Sequence, residues 1–152
     1  MPLSRELRSQ LDSTCAHSIE QLIADCSADE RAQLVEVIAD PRAPDRRVDT
    51  AIHVVGRLAE TDSVSAIAGR LRGMDERRLI NAIAALGSIG NSRAETVVLR
   101  YRRNRSADVR RFVAGALAGF PGPRSRQALS DMASDDDVDF VRECAVQALR
   151  RG

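Results

Sequence analysis

Arg46-Arg47-Val48-Asp49-Thr50-Ala51-Ile52-His53-Val54-Val55 and Arg77-Arg78-Leu79-Ile80-Asn81-Ala82-Ile83-Ala84-Ala85-Leu86 repeat one pattern at a displacement of 31 residues. In each copy an arginine pair precedes apolar residues at i, i+3, i+4 and i+7 (Val48, Ala51, Ile52, Val55; then Leu79, Ala82, Ile83, Leu86). That spacing places them along one face of an amphipathic α-helix. A second stripe, Val109, Phe112, Val113, Ala116 and Leu117, returns 32 residues later as Val141, Cys144, Ala145, Ala148 and Leu149. A period in this range marks a repeat protein, in which each unit buries its apolar face only against its neighbours.

Between these helices the pattern predicts a second family. Val64, Ile67, Ala68 and Leu71 are echoed by Ala94, Val97, Val98 and Tyr101, then by Ala128, Leu129 and Met132. Each period therefore reads as two helices, with turns expected at Gly87-Ser88-Ile89-Gly90-Asn91, Gly119-Phe120-Pro121-Gly122-Pro123 and Asp40-Pro41-Arg42-Ala43-Pro44. Upstream, Ile19, Leu22 and Ile23, then Leu34, Val35 and Ile38, suggest a degenerate first repeat, and Leu7 and Leu11 a capping helix. Nothing reads as a paired strand. The expected architecture is all-α: one domain over 1–152, with 1–40 as an N-terminal cap and degenerate repeat. Repeats follow over 44–73, 75–105 and 107–135, with 138–152 as a C-terminal capping helix.

Composition agrees. At 152 residues the chain suits one domain with a real core, yet aromatics supply only 3% of it and Trp is absent. Ala, Val, Leu and Ile must build that core, which favours close helix approach. The longest apolar run, Phe112 to Phe120, is far short of the roughly 20 residues of a membrane span, and no signal-peptide stretch opens the chain. A cytoplasmic location is expected. Cys15, Cys26 and Cys144 lack CxxC spacing and read as reduced, buried thiols.

Charge is unevenly distributed. All 23 basic residues are arginine; residues 75–130 hold 11 of them against 4 acids, while residues 1–74 hold 9 against 12 and residues 131–152 hold 3 against 6. A basic middle lies between acidic ends.

Asp108-Val109-Arg110-Arg111 followed by Ala116-Leu117, Phe140-Val141-Arg142 followed by Ala148-Leu149, and Ala85-Leu86-Gly87 with Gly90 closing the turn resemble the HEAT-like repeats of the phycobilisome-lyase type. The resemblance implies an α-solenoid of about four HEAT-like helical pairs with capping helices. It also implies that Arg110 and Arg142 tie neighbouring turns together, whereas Asp49 and Leu79 stand where such repeats often carry arginine and would interrupt an arginine ladder. Such repeats serve as scaffolds, adaptors, lyase subunits and occasionally enzymes, so the fold is a weak guide to function.

The resemblance further implies that the second helix of each pair lines a concave side. On a helix expected near 92–104, Arg93, Thr96, Arg100 and Arg103 share one exposed stripe; Arg70 is their counterpart on the preceding second helix, and Arg124, Gln127 and Asp131 on the following one. Exposed arginine is ordinarily a solvated face. Here the six arginines between 100 and 111 face a single acid, Asp108, so the stripe reads as a site for an acidic segment of a partner protein. Nucleic-acid binding, in the manner of the HEAT-like DNA glycosylases, is the alternative, but one Tyr and no Trp leave poor stacking equipment. A third reading makes the chain a lyase-type or structural component of a larger assembly that docks through its last helix should Phe140 be exposed there. No cofactor or metal is expected. His17 and His53 are not followed by Glu, and Asp135-Asp136-Asp137 with Asp139 lacks the glycine and terminal Glu of a calcium loop. That acidic run reads as a capping turn, and His53 as a partly buried structural residue. No nucleophile has a recognisable setting, and a non-enzymatic adaptor is the expected class.

Overall fold

A computed structural model of the chain describes residues 2–152, and among them all regular structure is helical. The helices are α1 (Arg5–Asp12), α2 (Ala16–Asp25), α3 (Ala28–Ala39), α4 (Asp45–Arg57), α5 (Val64–Arg70), α6 (Glu76–Ile89), α7 (Ser92–Leu99), α8 (Ala107–Leu117), α9 (Pro123–Asp135) and α10 (Asp139–Arg151). Local chemistry sets many of the starts. The side chains of Ser4, Asp75, Asn91 and Ser106 each accept a backbone N–H of the following first turn, and Ser27 with Glu30 forms a reciprocal capping box. Gly90 ends α6 at φ 71°, a left-handed conformation that glycine adopts without strain.

Helices α4, α6, α8 and α10 stack in succession as one layer, and α3, α5, α7 and α9 follow each other as a second. The chain is an α-solenoid, capped at its start by α1, whose Leu7 and Leu11 are fully buried against the stack. Small residues set the spacing of the first layer. A Cβ added to Gly56 would lie 2.8 Å from the Ala85 Cβ, and one on Gly87 would lie 2.9 Å from the Ala116 Cβ. Real Cβ atoms do not approach so closely, so these glycines let α4 meet α6 and α6 meet α8 almost backbone to backbone.

Several expectations are corrected. Gly87 and Ser88 belong to α6 and not to the turn, because Gly87 is a packing residue. Phe112 is 38% exposed: the buried face of α8 is Val109, Val113, Ala114 and Leu117, so the ring falls at its edge. In α3 the buried positions include Val37, while Val35 is only partly covered. His53 is exposed, one position off the stripe that buries Ile52. The cysteines are free thiols, but Cys15 is exposed and Cys26 and Cys144 are only half-buried. Burial raises the Cys26 thiol above its ordinary pKa, whereas backbone hydrogen bonding from Ser18 and His17 lowers that of Cys15.

Arginines tie the repeats at their edges. Arg47 forms a two-pronged bridge to Asp12 of α1, at 2.9 and 2.7 Å. Arg78 of α6 reaches Asp49 (2.9 Å) and Asp45 (3.0 Å) of α4. Asp49 therefore does not leave a gap in the stack; it takes the carboxylate side of a tie whose arginine comes from the next repeat. Arg110 is the most engaged. Its guanidinium donates to Asp136 Oδ2 (2.8 Å) and Oδ1 (3.1 Å), to Asp137 (3.0 Å) and to the Asn104 carbonyl (2.9 Å), clamping α8 to the α9–α10 junction. Arg142 binds the Asp136 carbonyl and the Asp139 carboxylate. The acidic run is thus an anchor for arginines more than a cap: Asp136 also accepts the Val138 N–H at 3.0 Å, but no side chain caps α10.

Two predictions follow from this packing. Gly87→Val forces α6 and α8 apart and lowers unfolding stability by about 1–3 kcal/mol, whereas Gly115→Ala, where an added Cβ meets nothing within 4 Å, raises it by about 0.5–1 kcal/mol; urea denaturation of the two variants measures both. The side chains of Arg110 and Asp136 are 12% and 7% exposed, and the hydrogen bond from Arg110 holds the Asp136 carboxyl below the usual carboxylate range. A carboxyl depressed in the folded state contributes stability that is present above its unfolded pKa, about 4, and is lost as pH falls through the folded value. Asp136→Asn therefore costs on the order of 3 kcal/mol at pH 7, with the gap from wild type closing below about pH 4 in denaturant titrations at several pH values.

Candidate partner-binding face

The stripe expected on a long helix is divided by the structure. Helix α7 stops at Leu99, with Arg100 as its C-cap residue, and the chain turns over 101–103. Leu99 and the half-buried Tyr101 pull this turn onto the core, and the Arg102 guanidinium donates to the Leu99 carbonyl at 2.9 Å, closing the helix end. Arg93, Thr96 and Arg100 remain on one face of α7, while Arg103 projects from the turn.

The eight expected residues separate into groups. Arg70 leaves the face: its Nε donates to the Ile38 carbonyl at 2.6 Å and its Nη2 to the Asp40 carbonyl, so it caps the C-terminal end of α3. Thr96 and Arg124 meet across α7 and α9, with Arg124 Nη1 donating to Thr96 Oγ1 at 3.3 Å and lying 3.9 Å from Glu95. Beneath them the buried Ser125 hydroxyl donates to Glu95 at 2.7 Å and fixes α7 against α9. Gln127 donates to Asp131 at 2.9 Å, one turn along α9.

Arg103 and Asp131 come together in a cleft of about 420 Å³ between the 102–105 turn and the C-terminal half of α9. Its base contains the Arg110–Asp136 clamp and the buried Met132. The sequence reading missed Arg105 and Asp135, which also line the cleft. Helical periodicity could not find Arg105, because it lies in a loop.

Internal partners sort the arginines. Arg47, Arg57, Arg70, Arg78, Arg110 and Arg142 each hold a carboxylate or a carbonyl elsewhere in the chain. Arg93, Arg100, Arg103 and Arg105 are exposed and make no side-chain hydrogen bond or ion pair among the described residues. Four unpaired cations thus gather within α7 and the loop that follows it.

The opposite layer also carries a groove, of about 490 Å³, between α4 and α6. His53 and Asn81 stand exposed on its walls, the Asp49–Arg78 tie at its edge, and Ile52 and Ala82 on its floor. Further along this layer Phe140, 43% exposed, lies with Phe112 against the Arg111 guanidinium, at 5.6 and 5.1 Å from the ring centroids. Phe140 is thus exposed, the condition set for docking through the last helix, and lies beside Arg111 of α8.

No helix among the described residues is long and apolar enough to cross a membrane. No curated protein matches the chain. The family model for HEAT repeats matches residues 64–150, the span from α5 through α10 in which the two layers are regular, and the chain belongs to the HEAT repeat family.

Proposed function

We propose that the chain is a non-catalytic adaptor that binds an acidic segment of a partner protein along the α7–α9 face. HEAT repeats commonly mediate protein–protein interaction. The observation that carries the reading is the clustering of the unpaired guanidinium groups of Arg93, Arg100, Arg103 and Arg105 on one helix and the loop that follows it, a stretch whose single acid, Glu95, is buried and engaged by Ser125. Arg124, only loosely held by Thr96 and Glu95, extends the cationic surface to α9. An extended solenoid face suits a partner segment lying across successive repeats, and fixed cations there raise the encounter rate with an acidic chain. Thr96 and Gln127 supply neutral hydrogen-bonding groups along the same track, and Asp131 adds a carboxylate at its end. Arg70 contributes from behind, by holding α3 in place.

The phycobilisome-lyase subtype is part of this reading at the level of the repeats, resting on Val109-Arg110 and Val141-Arg142, whose arginines serve as ties. A location in the cytoplasm and a role inside a larger assembly are compatible with it. The competing nucleic-acid reading draws on the same arginines, with phosphates in place of carboxylates, and differs in its salt dependence.

Affinity capture with the wild type and with an Arg93→Glu/Arg100→Glu/Arg103→Glu variant, each with and without nuclease, tests the proposal. The expected result is a nuclease-insensitive protein retained by the wild type and lost by the variant, with circular dichroism and melting temperature of the two nearly equal. Material released by nuclease, with affinity that falls steeply as salt rises, would transfer the site to nucleic acid. Identical captures by both proteins would show the arginines to be a solvated surface.

A further inference from the structure

The cleft at the end of this face is not uniformly cationic, and its asymmetry specifies the partner more narrowly. One wall is the 102–105 turn, which presents the unpaired Arg103 and Arg105. The other is α9, which presents Asp131 and Asp135. The four charged groups are not equivalent to the clamp beneath them. There Asp136 and Asp137 share the one guanidinium of Arg110 at 2.8 to 3.1 Å, so this cluster keeps a net negative charge that adds to the aspartate wall.

On the walls, opposite charges face each other without closing. Neither Arg103 nor Arg105 comes within 4 Å of Asp131 or Asp135 as an ion pair, and the Asp131 carboxylate accepts only the neutral Gln127 amide. Ala128 and Met132 also line the cleft, nearly covered by the core, and offer a small apolar surface suited to an aliphatic stem. A purely acidic strand would satisfy the arginine wall and be repelled by the aspartate wall.

From these placements we infer that the partner segment is of mixed charge: acidic residues engage the arginines of α7 and its following turn, and one basic side chain enters the cleft, its stem over Ala128 and Met132 and its cation between Asp131 and Asp135. The inference rests on the acidic-partner reading and refines it. It changes the recognition rule from net charge to charge order, because a lysine within the segment makes the ligand less negative and yet complements the aspartate wall.

The contrast is measurable with defined probes. A fluorescently labelled hexaglutamate peptide and a set in which one lysine replaces each glutamate in turn are titrated against the protein at low salt, with anisotropy as the readout. At least one lysine-containing peptide is expected to bind severalfold more tightly than hexaglutamate, although a simply cationic face would bind every member of the set more weakly. In Asp131→Asn/Asp135→Asn that preference is expected to vanish while hexaglutamate binds more tightly. Arg100→Glu/Arg103→Glu is expected to lose every peptide.

Weaker binding of all lysine-containing peptides, or a preference that persists in the double asparagine variant, would overturn the mixed-charge inference and leave the acidic-partner reading standing. Failure of the wild type to bind any peptide would overturn both.

Discussion

The approach of the first-layer helices through Gly56 against Ala85 and Gly87 against Ala116 is the constraint on which the rest of the molecule depends. With added Cβ atoms only 2.8–2.9 Å from those neighbours, α4, α6 and α8 can hold this spacing only while the two positions stay small. Helices of 11 to 14 residues are marginal alone, and stacking supplies what their intrinsic propensity lacks. The second layer has no comparable contact. It is joined through side chains, as in the Ser125–Glu95 hydrogen bond and the contact from Arg124 to Thr96, and its helices α5 and α7 are short. The layer with the tighter backbone contact therefore holds the solenoid together, while the looser layer leaves room for a polar, arginine-rich surface.

The arginines illustrate how one residue type divides into two roles. Where an arginine lies within reach of a carboxylate or an uncapped carbonyl of a neighbouring repeat, it becomes a tie, as Arg78 does with Asp49 and Arg70 with the end of α3. Where the nearest backbone is already hydrogen-bonded within a turn, as around Arg100 and Arg103, the guanidinium has no internal partner and faces solvent. The basic block of the sequence consequently leaves a smaller free cationic surface than its composition suggests. Arg110, at its centre, is wholly committed to the α9–α10 junction.

Much of the fold is legible in the chain, since the recurrence of Val48, Ala51, Ile52 and Val55 as Leu79, Ala82, Ile83 and Leu86 is a pattern that only one helical face can satisfy. The stripes lose resolution at their edges. Phe112 obeys the spacing and is still 38% exposed, because periodicity defines the axis of a face and not its width, and the partner of that face lies in another repeat. Gly87 looks like turn chemistry and is a contact point, since a glycine needed for proximity cannot be told from one needed for its φ without the neighbouring helix. The site is legible only as a region. Arg93 and Arg100 share a helical face as their spacing requires, but Arg70 is diverted and Arg103 leaves the helix, each through an interaction with residues remote in sequence or with the local turn.

Sequence by itself determined that this protein is all-helical, repeats with a period near 31 residues and is basic in its middle, because helical periodicity and charge are local properties carried by the order of residues. Tertiary structure decided which glycines are contacts, which arginines are spent as ties and which carboxylates face the free ones across a cleft. Those outcomes depend on distances between groups about 25 to 35 residues apart, such as Arg110 and Asp136 or Ser125 and Glu95. Such distances are set only when the helices stack.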